Sequence, residues 1–525
     1  MILSELAACV EGARIVCCDR AAAENTKIGG LTADSRFCGP GDLFFCLTGG
    51  KTDSHAYAGD AEGAGAAAVV CERDLDLKIP RLIVPDSRRA MGLIASGFYG
   101  RPADRLKIIG ITGTNGKTTT SYMLASILRR AGKQVAVVGT LGIYYGKKQI
   151  APELTTPDPL FLHKIFADMV KCGVEYVVTE VSAHALFYHK DEGISYAACI
   201  FTNLTQDHLD FFDGMDSYKQ AKKRLFDVRK CPVAVLNGDD PVGREIGAER
   251  SESSENAEGP ENPGEPGEAK LSESGLRPQV PDSTHDKPRT IFYGLEAPSE
   301  VFAVVTSEDL QGCEFMLNLS DSLCRISLPM TGRHNVYNAM AAASAAMALG
   351  VRTEAIAGGL NEMKPVRGRL EWVGKYRGAD IFVDFAHTPD GLEKSLSALK
   401  THCRGRLLCL FGCGGNRDRS KRAPMGETVA KRADFGILTS DNPRFEEPTD
   451  IIAEIEKGYR RVSDRYVVIP ERERAIRYAV GILKKGDVLL VAGKGGEDYQ
   501  EIMGIKYSYN DNAVIREAMS RRPPL

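Results

Sequence analysis

The sequence predicts an α/β protein of three domains. Apolar runs typical of buried strands recur along the 525 residues, and segments with helical periodicity, such as residues 121–128 and 336–349, lie between many of them. This alternation is typical of parallel, doubly wound sheets. At about 150 residues per domain, the length indicates roughly three domains. The predicted strands are residues 135–138, 175–179, 197–201, 233–236, 381–383, 407–411, 436–439 and 488–491.

The predicted domains are a small N-terminal α/β domain at residues 1–105, a central parallel sheet at 106–330 and a Rossmann-like C-terminal domain at 331–525. One segment interrupts this order, because residues 248–289 are rich in Glu, Ser, Pro and Gly and contain almost no large apolar side chains. Such a composition cannot bury enough surface to offset the entropy of ordering. We therefore predict a disordered acidic insertion in a surface loop of the central domain. A regulatory or partner-binding role for it is left open.

The most informative motif is a glycine-rich loop, residues 113–116, between an apolar run and a helical segment that extends from Thr118 to Arg130. Backbone N–H groups of such a loop can surround a phosphate, Lys117 supplies a mobile positive charge, and the Thr118 hydroxyl can reach a magnesium ion. The motif departs from the strict pattern once, since Gly110 precedes by one residue the position of the first glycine. A strand, a phosphate loop and a helix in this order predict binding of a nucleoside triphosphate.

Composition favours a soluble globular protein. Hydrophobic residues make up 43% and charged residues 26% of the chain, and the formal net charge of −3 gives no general attraction for nucleic acid or an anionic membrane. The N-terminal residues lack the features of a signal peptide, and no apolar run approaches the about 20 residues needed to span a bilayer. The 14 cysteines show no paired metal-binding spacing, which favours free thiols in a reducing compartment. We expect a cytoplasmic protein that binds no nucleic acid and does not insert into a membrane.

Two polar residues follow predicted strands near the phosphate loop. Glu180 ends a buried run, where a carboxylate is costly unless it is paired or bound to metal, and His208 follows the next strand. Both are candidate magnesium ligands. A solvated carboxylate and a structural histidine are the alternative interpretations. Lys222 lies in the helical run 218–226, where spacing alone does not single out one lysine.

Residues 441–444, with the sequence Asp-Asn-Pro-Arg, follow another apolar run. The Asp can hold an ammonium group and the Arg can hold a carboxylate through two parallel hydrogen bonds, so this turn is a candidate amino-acid site. Arg417, which follows the glycine-rich loop 412–415, is a candidate second contact for an anion. A proline-rigidified turn without a ligand is the alternative interpretation.

Ten motifs, taken together and in order, resemble those of the Mur ligases. The resemblance covers all three predicted domains and excludes only residues 248–289. It is strongest to the family members that add meso-diaminopimelate to UDP-N-acetylmuramoyl-L-alanyl-D-glutamate. The motifs are Asp34-Ser35-Arg36 with residues 40–44, then residues 110–119, 155–157, 180–186, 203–210, 332–335, 368–371, 384–390, 441–444 and 493–495.

The resemblance implies an ATP-dependent amide ligase of peptidoglycan precursor synthesis, with ATP and Mg²⁺ as cofactors. ATP would phosphorylate the γ-carboxylate of D-glutamate, and the amine of diaminopimelate would attack the resulting acyl phosphate. The three domains would bind, in chain order, the uridine end of the acceptor, ATP and the incoming amino acid. Lys222 matches the lysine that the family carbamylates, a change that turns a cation into an anionic metal ligand. We expect a monomer that acts on these small molecules.

The resemblance also assigns roles to individual residues. Catalysis would involve Lys117, Glu180, His208 and Lys222, and Mg²⁺ would be surrounded by Thr118, Glu180, His208 and carbamylated Lys222. The ATP site would contain Gly113, Thr114, Asn115, Gly116, Lys117, Thr118, Thr119, Asn335, Asn338, Arg369 and Asp384. The UDP-muramoyl-dipeptide site would contain Ser35, Gly50, Lys51, Thr52, Thr155, Thr156, Ser182 and Lys190. The diaminopimelate site would contain Arg417, Asp441, Asn442, Pro443, Arg444, Gly493 and Glu497.

Arg444 is expected to select the amino acid. Diaminopimelate differs from lysine by one distal carboxylate, which a guanidinium binds, while the same guanidinium repels the lysine ammonium. Relatives that add lysine lack this Arg. The chain departs from the family pattern at Lys190, where Arg is usual, and at Gly496, where His is usual.

The sequence leaves four alternative functions to compare. Three are ligases: a Mur ligase that adds L-lysine, a folylpolyglutamate synthase, and a Mur ligase that adds D-alanyl-D-alanine. The Asp34-Ser35-Arg36 motif together with residues 441–444 argues against the last two. The fourth alternative is a non-catalytic P-loop sensor of cell-wall precursors.

Overall fold

The N-terminal domain contains a five-stranded sheet. The structure is a computed structural model that describes residues 1–49, 52–151, 154–257 and 288–520. The strands are β1 (Arg14–Val16), β2 (Gly30–Thr32), β3 (Asp42–Phe45), β4 (Ala68–Cys71) and β5 (Arg81–Ile83), and the helices are α1 (Leu3–Ala7), α2 (Arg20–Glu24), α3 (Ala58–Gly63) and α4 (Ser87–Phe98). The order is β1-β5-β4-β3-β2, and only β1 and β5 pair antiparallel.

The central domain contains an eleven-stranded sheet. Its strands are β6 (Lys107–Thr112), β7 (Val135–Gly139), β8 (Gly142–Tyr145), β9 (Lys148–Ile150), β10 (Tyr176–Glu180), β11 (Ala198–Phe201), β12 (Val233–Asn237), β13 (Arg289–Gly294), β14 (Val301–Glu308), β15 (Cys313–Leu319) and β16 (Ser322–Leu328). Its helices are α5 (Lys117–Arg130), α6 (Pro159–Lys171), α7 (Ala183–Phe187), α8 (Met215–Lys223), α9 (Pro241–Ala257), α10 (Arg333–Ala348) and α11 (Thr353–Asn361).

The order of this sheet is β16-β15-β14-β13-β12-β11-β6-β10-β7-β8-β9. The strands from β14 to β7 pair parallel, and antiparallel strands extend both edges. Strand β6 lies between β10 and β11, with Glu180 paired to Ile111 and Phe201 paired to Thr112. The carboxyl ends of these three strands therefore meet at one edge, and the loops that follow them can form one site.

Helices α10 and α11 pack on the central sheet, so the boundary predicted at residue 331 is wrong. Buried Val336 and Ala339 of α10 share one hydrophobic core with Ile127 of α5. The Ser126 hydroxyl donates to the carbonyl of Gly359 in α11 (2.7 Å). Because many alanines line α10, it approaches its neighbours closely, and the third domain begins only after α11.

The start of the predicted insertion is also corrected. Helix α9 continues to Ala257 and so includes the first ten residues of segment 248–289. Buried Arg250 anchors it, because its guanidinium donates to the carbonyls of Phe226 (2.6 Å) and Pro232 (3.3 Å). Arg289 already belongs to β13. Residues 258–287, the rest of the segment, lie outside the described residues.

The C-terminal domain contains a six-stranded sheet and a separate two-stranded hairpin. Its strands are β17 (Glu371–Tyr376), β18 (Ala379–Asp384), β19 (Leu407–Phe411), β20 (Phe435–Leu438), β21 (Tyr466–Val468), β22 (Val488–Ala492), β23 (Tyr499–Ile502) and β24 (Ile505–Ser508), and its helices are α12 (Pro389–His402), α13 (Arg422–Arg432), α14 (Pro448–Tyr459), α15 (Arg472–Gly481) and α16 (Asp511–Ser520). The order of the larger sheet is β17-β18-β22-β19-β20-β21, parallel except at β17.

The predicted fold class is confirmed. Each of the eight apolar runs forms a strand, segment 121–128 lies within α5, and segment 336–349 extends one residue beyond the end of α10. Within the part of the chain that the structure describes, no helix has the length and apolarity to cross a membrane.

Candidate active site

The carboxyl ends of the central strands face the C-terminal domain across one cavity of about 2150 Å³. The phosphate loop, the loops after β10 and β11, and the polar turns of the C-terminal sheet all line it. The predicted site residues that line it are Thr114, Asn115, Gly116, Lys117, Thr118, Thr119, Thr155, Thr156, Glu180, Ser182, Lys190, His208, Asn335, Asn338, Arg369, Asp384, Arg417, Asp441, Asn442, Arg444, Gly493 and Glu497.

The phosphate loop depends on two glycines with positive φ. Gly113 (φ +145°) and Gly116 (φ +89°) adopt conformations that side chains disfavour. A Cβ atom at Gly113 would lie 1.9 Å from the Thr202 hydroxyl oxygen, and one at Gly116 would lie 2.4 Å from Asn338 Oδ1. The Lys117 ammonium folds back on the loop and donates to the carbonyls of Gly113 (2.8 Å) and Thr114 (2.9 Å). Burial lowers the pKa of Lys117.

The Glu180 carboxylate is buried at the end of β10 and accepts hydrogen bonds from one neighbouring residue. Its Oε1 accepts from the Thr140 backbone N–H (3.0 Å), and its Oε2 accepts from the Thr140 hydroxyl (3.0 Å). The absence of a side chain at Gly139 leaves room for this carboxylate, since a Cβ atom at that position would lie 2.1 Å from Glu180 Oε1. The Glu180 side chain lines the same cavity as the phosphate loop.

His208 lies in a strained position beside a second imidazole. Its φ of +58° is rare for a residue with a side chain, and its ring centroid lies 4.8 Å from that of His184. Burial lowers the pKa of His208 to about 3. The ring is therefore neutral at physiological pH, the form in which histidine binds metal. Within the described residues, no three His, Cys, Asp or Glu side chains group as metal ligands.

Lys222 lies behind the phosphate loop and is not among the cavity-lining residues of the described chain. Its side chain is 1% exposed. The ammonium donates to the Gly113 carbonyl (2.9 Å) and lies 4.5 Å from the Tyr218 ring centroid. Burial, and secondly the charge of Lys117, hold the pKa of Lys222 well below its usual value, which favours the neutral amine.

Polar contacts join the central and C-terminal domains across the cavity. Arg369 donates to the Thr118 hydroxyl (2.9 Å), and the Asn115 amide donates to Asp390 Oδ2 (2.8 Å). These bonds bring residues of the third domain onto the phosphate loop.

A buried ionic contact joins the same two domains. Asp207 Oδ1 lies 3.4 Å from the Lys421 ammonium, and its Oδ2 lies 3.8 Å from His387 Nε2. The sequence interpretation gave no role to Asp390, Lys421 or His387, because their partners are distant in the chain.

The predicted nucleotide residues form two polar clusters. Asn338 donates to Asn335 Oδ1 (3.2 Å) and accepts from the Thr120 hydroxyl (3.3 Å). The Asp384 carboxylate is buried and accepts backbone N–H bonds from Leu370 (2.5 Å) and Ala386 (2.7 Å). Burial raises the pKa of Asp384.

The turn at residues 441–444 contacts a buried lysine that the sequence interpretation missed. The Lys494 ammonium donates to Asn442 Oδ1 (2.9 Å) and Glu497 Oε2 (2.9 Å), and the Asn442 amide donates to Glu497 (2.9 Å). Lys494 is fully buried and fixes which way the Asn442 amide points. The position of Lys494 within the Gly-Lys-Gly motif is the feature of the sequence that could have identified it.

The predicted acceptor residues separate into two groups. Thr155, Thr156, Ser182 and Lys190 line the cavity, and Lys190 pairs with Asp158 (2.5 Å). Among the described residues, Ser35 and Thr52 of this predicted site are not part of the cavity wall, and neither are Gly113 of the predicted ATP site and Pro443 of the predicted diaminopimelate site. Gly50 and Lys51 lie outside the described residues.

Comparison with known proteins gives one consistent result across the chain. The model of the Mur ligase family catalytic domain matches residues 27–99, and that of the Mur ligase middle domain matches 111–258 and 279–346. The model of the Mur ligase glutamate ligase domain matches residues 368–495.

Individual relatives agree over nearly the full length. UDP-N-acetylmuramoyl-L-alanyl-D-glutamate--2,6-diaminopimelate ligase from Geobacillus thermodenitrificans (strain NG80-2) is 39% identical over 505 residues, 95% of this chain and 96% of the relative. A solved structure of a ligase with the same name is 31% identical, has a TM-score of 0.63 and covers 94% of each chain. MurF ligase from Thermotoga maritima in complex with ADP shares the fold, with a TM-score of 0.58, 19% identity and coverage of 94% of this chain and 96% of its own.

Proposed function

Because the chain belongs to the Mur ligase family, we propose that it joins meso-diaminopimelate to UDP-N-acetylmuramoyl-L-alanyl-D-glutamate in an ATP-dependent step of peptidoglycan precursor synthesis. The observation that carries the proposal is a single cavity lined by both the phosphate loop and the guanidinium of Arg444. A ligase of this kind needs ATP chemistry and recognition of a distal carboxylate in one enclosed space.

The reaction must activate a carboxylate, which is a poor acyl donor because its leaving group would be oxide. The γ-carboxylate oxygen attacks the γ-phosphorus of ATP, ADP leaves, and an acyl phosphate forms. The neutral amine of the amino acid then attacks the carbonyl carbon, the nitrogen gives a proton to a nearby carboxylate or to the departing phosphate, and phosphate leaves from the tetrahedral intermediate. Lys117 offsets the negative charge of the transferring phosphoryl group. The contacts of Arg369 and Asn115 hold the central and C-terminal domains together across the cavity, and closure of this kind would keep water from the acyl phosphate.

The side chains near the phosphate loop suit a magnesium ion. A hard dication prefers oxygen ligands, and the Thr118 hydroxyl and the Glu180 carboxylate would supply them, in a cavity that the neutral imidazole of His208 also lines. These three residues, with carbamylated Lys222, would hold the metal. Magnesium would neutralise charge on the phosphates during transfer.

Carbamylation of Lys222 is chemically consistent with its surroundings. Carbon dioxide adds to a neutral amine, and burial beside Lys117 disfavours the ammonium form of Lys222. The carbamate would place an anion next to the phosphate loop, near the Lys117 ammonium.

The remaining cavity residues divide among the three substrates. Asn335 and Asn338 would approach the adenine, while Arg369 and Asp384 would hold the γ-phosphate side and the ribose. Thr155, Thr156, Ser182 and Lys190 would hold the muramoyl-dipeptide, with Ser35 and the loop 50–52 at the uridine end. Arg417, Asp441, Asn442, Arg444, Gly493 and Glu497 would bind the incoming amino acid, with Pro443 completing the turn 441–444.

The proposal is tested by mass analysis of the product formed from ATP, UDP-muramoyl-dipeptide and either meso-diaminopimelate or L-lysine. We expect a product that contains diaminopimelate, with ADP released only when both acceptor and amino acid are present. Equal incorporation of lysine would contradict the proposed selectivity. Binding of nucleotide and acceptor without turnover would instead support a sensor.

A further inference from the structure

The amino-acid turn at residues 441–444 is held by the hairpin β23–β24. The backbone N–H of Glu501 in β23 donates to Asn442 Oδ1 (2.9 Å). The Gln500 side chain donates to the Asp441 carbonyl (2.7 Å). The hairpin therefore acts as a template for this turn.

Arg444 forms a bridge to the same strand. Its N–H donates to the Glu501 carbonyl (3.1 Å), and its own carbonyl accepts from the Met503 N–H (2.7 Å). The backbone of Arg444 is left-handed (φ +54°), which is uncommon for a residue with a side chain. Such a conformation persists only where the surroundings impose it, and here β23 does so.

The guanidinium of Arg444 is held from two sides. Its Nε donates to Glu501 Oε2 (3.1 Å), and its Nη1 donates to the Gly415 carbonyl (2.8 Å). These bonds occupy two of the five N–H donors of an arginine. Nη2 makes no hydrogen bond to any described residue.

Glu501 and Arg444 differ in their relation to the cavity. Arg444 lines the cavity, while Glu501 does not appear among the described residues of its wall. The carboxylate therefore acts on a ligand through the guanidinium.

We propose that Glu501 is a positioning residue that selects for a distal carboxylate by fixing Arg444. The inference rests on the proposed function. With Nε and Nη1 fixed, the free Nη2 group is presented to the distal carboxylate of the amino acid. Fixing a flexible side chain before binding removes part of the entropic cost of the complex. The distal end is remote from the reacting amine, so losing this order weakens binding of the ground state and transition state alike.

Three variants test the role of Glu501. Glu501→Ala removes the anchor, and Glu501→Gln keeps an oxygen that can accept from Nε. Glu473→Ala is the matched control, because Glu473 also pairs with an arginine, Arg477 (2.6 Å), and is not part of the described cavity wall. We expect Glu501→Ala to raise KM for meso-diaminopimelate about tenfold, the loss expected for a charge-assisted hydrogen bond, with kcat within about twofold.

The other kinetic constants separate positioning from a general structural role. KM values for ATP and for the nucleotide acceptor should not change, and Glu501→Gln should recover most of the affinity for diaminopimelate. Glu473→Ala should match the wild type. The inference would be overturned if KM for diaminopimelate is unchanged in Glu501→Ala. It would also be overturned if kcat falls and the KM values for all three substrates rise by the same factor. If the wild type itself fails to use diaminopimelate, the proposed function fails instead.

Discussion

At the scale of single residues, the most informative side chain is a lysine in an unfavourable position. Lys222 is buried beside Lys117 and donates to a carbonyl of the phosphate loop. Burial, and secondly the charge of Lys117, lower the pKa of Lys222 and favour its neutral amine. A carbamate formed from this amine would supply an anionic oxygen ligand.

Replacing Lys222 by Ala should abolish most activity and make it responsive to small acids. We expect kcat to fall about a hundredfold or more, as for loss of a group that orients a metal, and to recover partly in formate or acetate, which can fill the vacated anionic position. Lys223→Ala is the control, since Lys223 on the same helix pairs with Glu245 (3.0 Å). Steady-state assays with increasing acid measure the effect, and full activity of Lys222→Ala without additive would refute it.

Arg444 should carry the choice of amino acid. We expect Arg444→Ala to lower kcat/KM for meso-diaminopimelate roughly a thousandfold, about 4 kcal/mol, because a desolvated carboxylate would lose its charged partner. Kinetics with lysine as the competing substrate should show the discrimination largely lost.

Arg444→Lys provides the control for charge alone. It keeps the positive charge but loses the planar guanidinium that Glu501 and Gly415 hold in place, so its kcat/KM for diaminopimelate should lie between those of the wild type and the Ala variant. Undiminished selectivity in Arg444→Ala would assign the discrimination to another residue.

At the scale of elements, the unit formed by β6, the phosphate loop and α5 shows how glycines shape a binding loop. Gly116 combines a positive φ with close contact to Asn338 of α10. Helix α10 thus packs against the loop that would bind the phosphates. This packing also explains why α10 belongs to the central domain.

A pair of glycine variants separates backbone strain from steric conflict. Gly116 and Gly132 both have positive φ, but a Cβ atom at Gly132 meets nothing within 4 Å. Gly132→Ala should cost only about 1 kcal/mol of stability from strain and leave ATP kinetics unchanged.

Gly116→Ala adds the conflict with Asn338 to the same strain. We expect it to lower kcat/KM for ATP about a hundredfold, since small displacements in a reacting site are costly. ATP kinetics and thermal unfolding of both variants measure the two effects. Equal behaviour of the two variants would show that packing against Asn338 is unimportant.

At the scale of the whole molecule, histidines in several regions share one electrostatic property. Burial lowers the pKa of His163, His334 and His387 to about 4, and that of His208 to about 3. In the unfolded chain their pKa is near 6.5. Between these limits the unfolded chain binds more protons than the folded protein. The contribution of these histidines to the free energy of unfolding is therefore fully present above pH 6.5 and is lost as the pH decreases toward 4.

Thermal unfolding should therefore shift to lower temperature between pH 7 and pH 5. His163 is fully buried and its Nε2 lies 3.2 Å from the Glu192 carbonyl. His163→Gln keeps a donor for that carbonyl and removes one titrating group, so it should make the shift smaller. A midpoint that stays constant or rises over this range would contradict the assignment.

The sequence by itself determined the fold class and the ligase family to which the chain belongs. Strand-forming runs are short, continuous and bounded by polar loops, so they can be recognised from consecutive residues alone. Each predicted run forms a strand. The phosphate loop is equally local, because its function depends on consecutive residues. The same holds for the motif that contains Arg444.

Only the tertiary structure decided the domain boundary after α11, the extent of α9 and the partners of the site residues. The sequence of alanine-rich α10 predicts a helix but does not indicate which domain the helix belongs to. Only its contacts with α5 place it in the central domain. Asp207 meets Lys421, and Arg444 meets Glu501, across long stretches of chain. A charged residue's role depends on which opposite charge lies within hydrogen-bonding distance, and that distance is set by how the sheets and the hairpin pack.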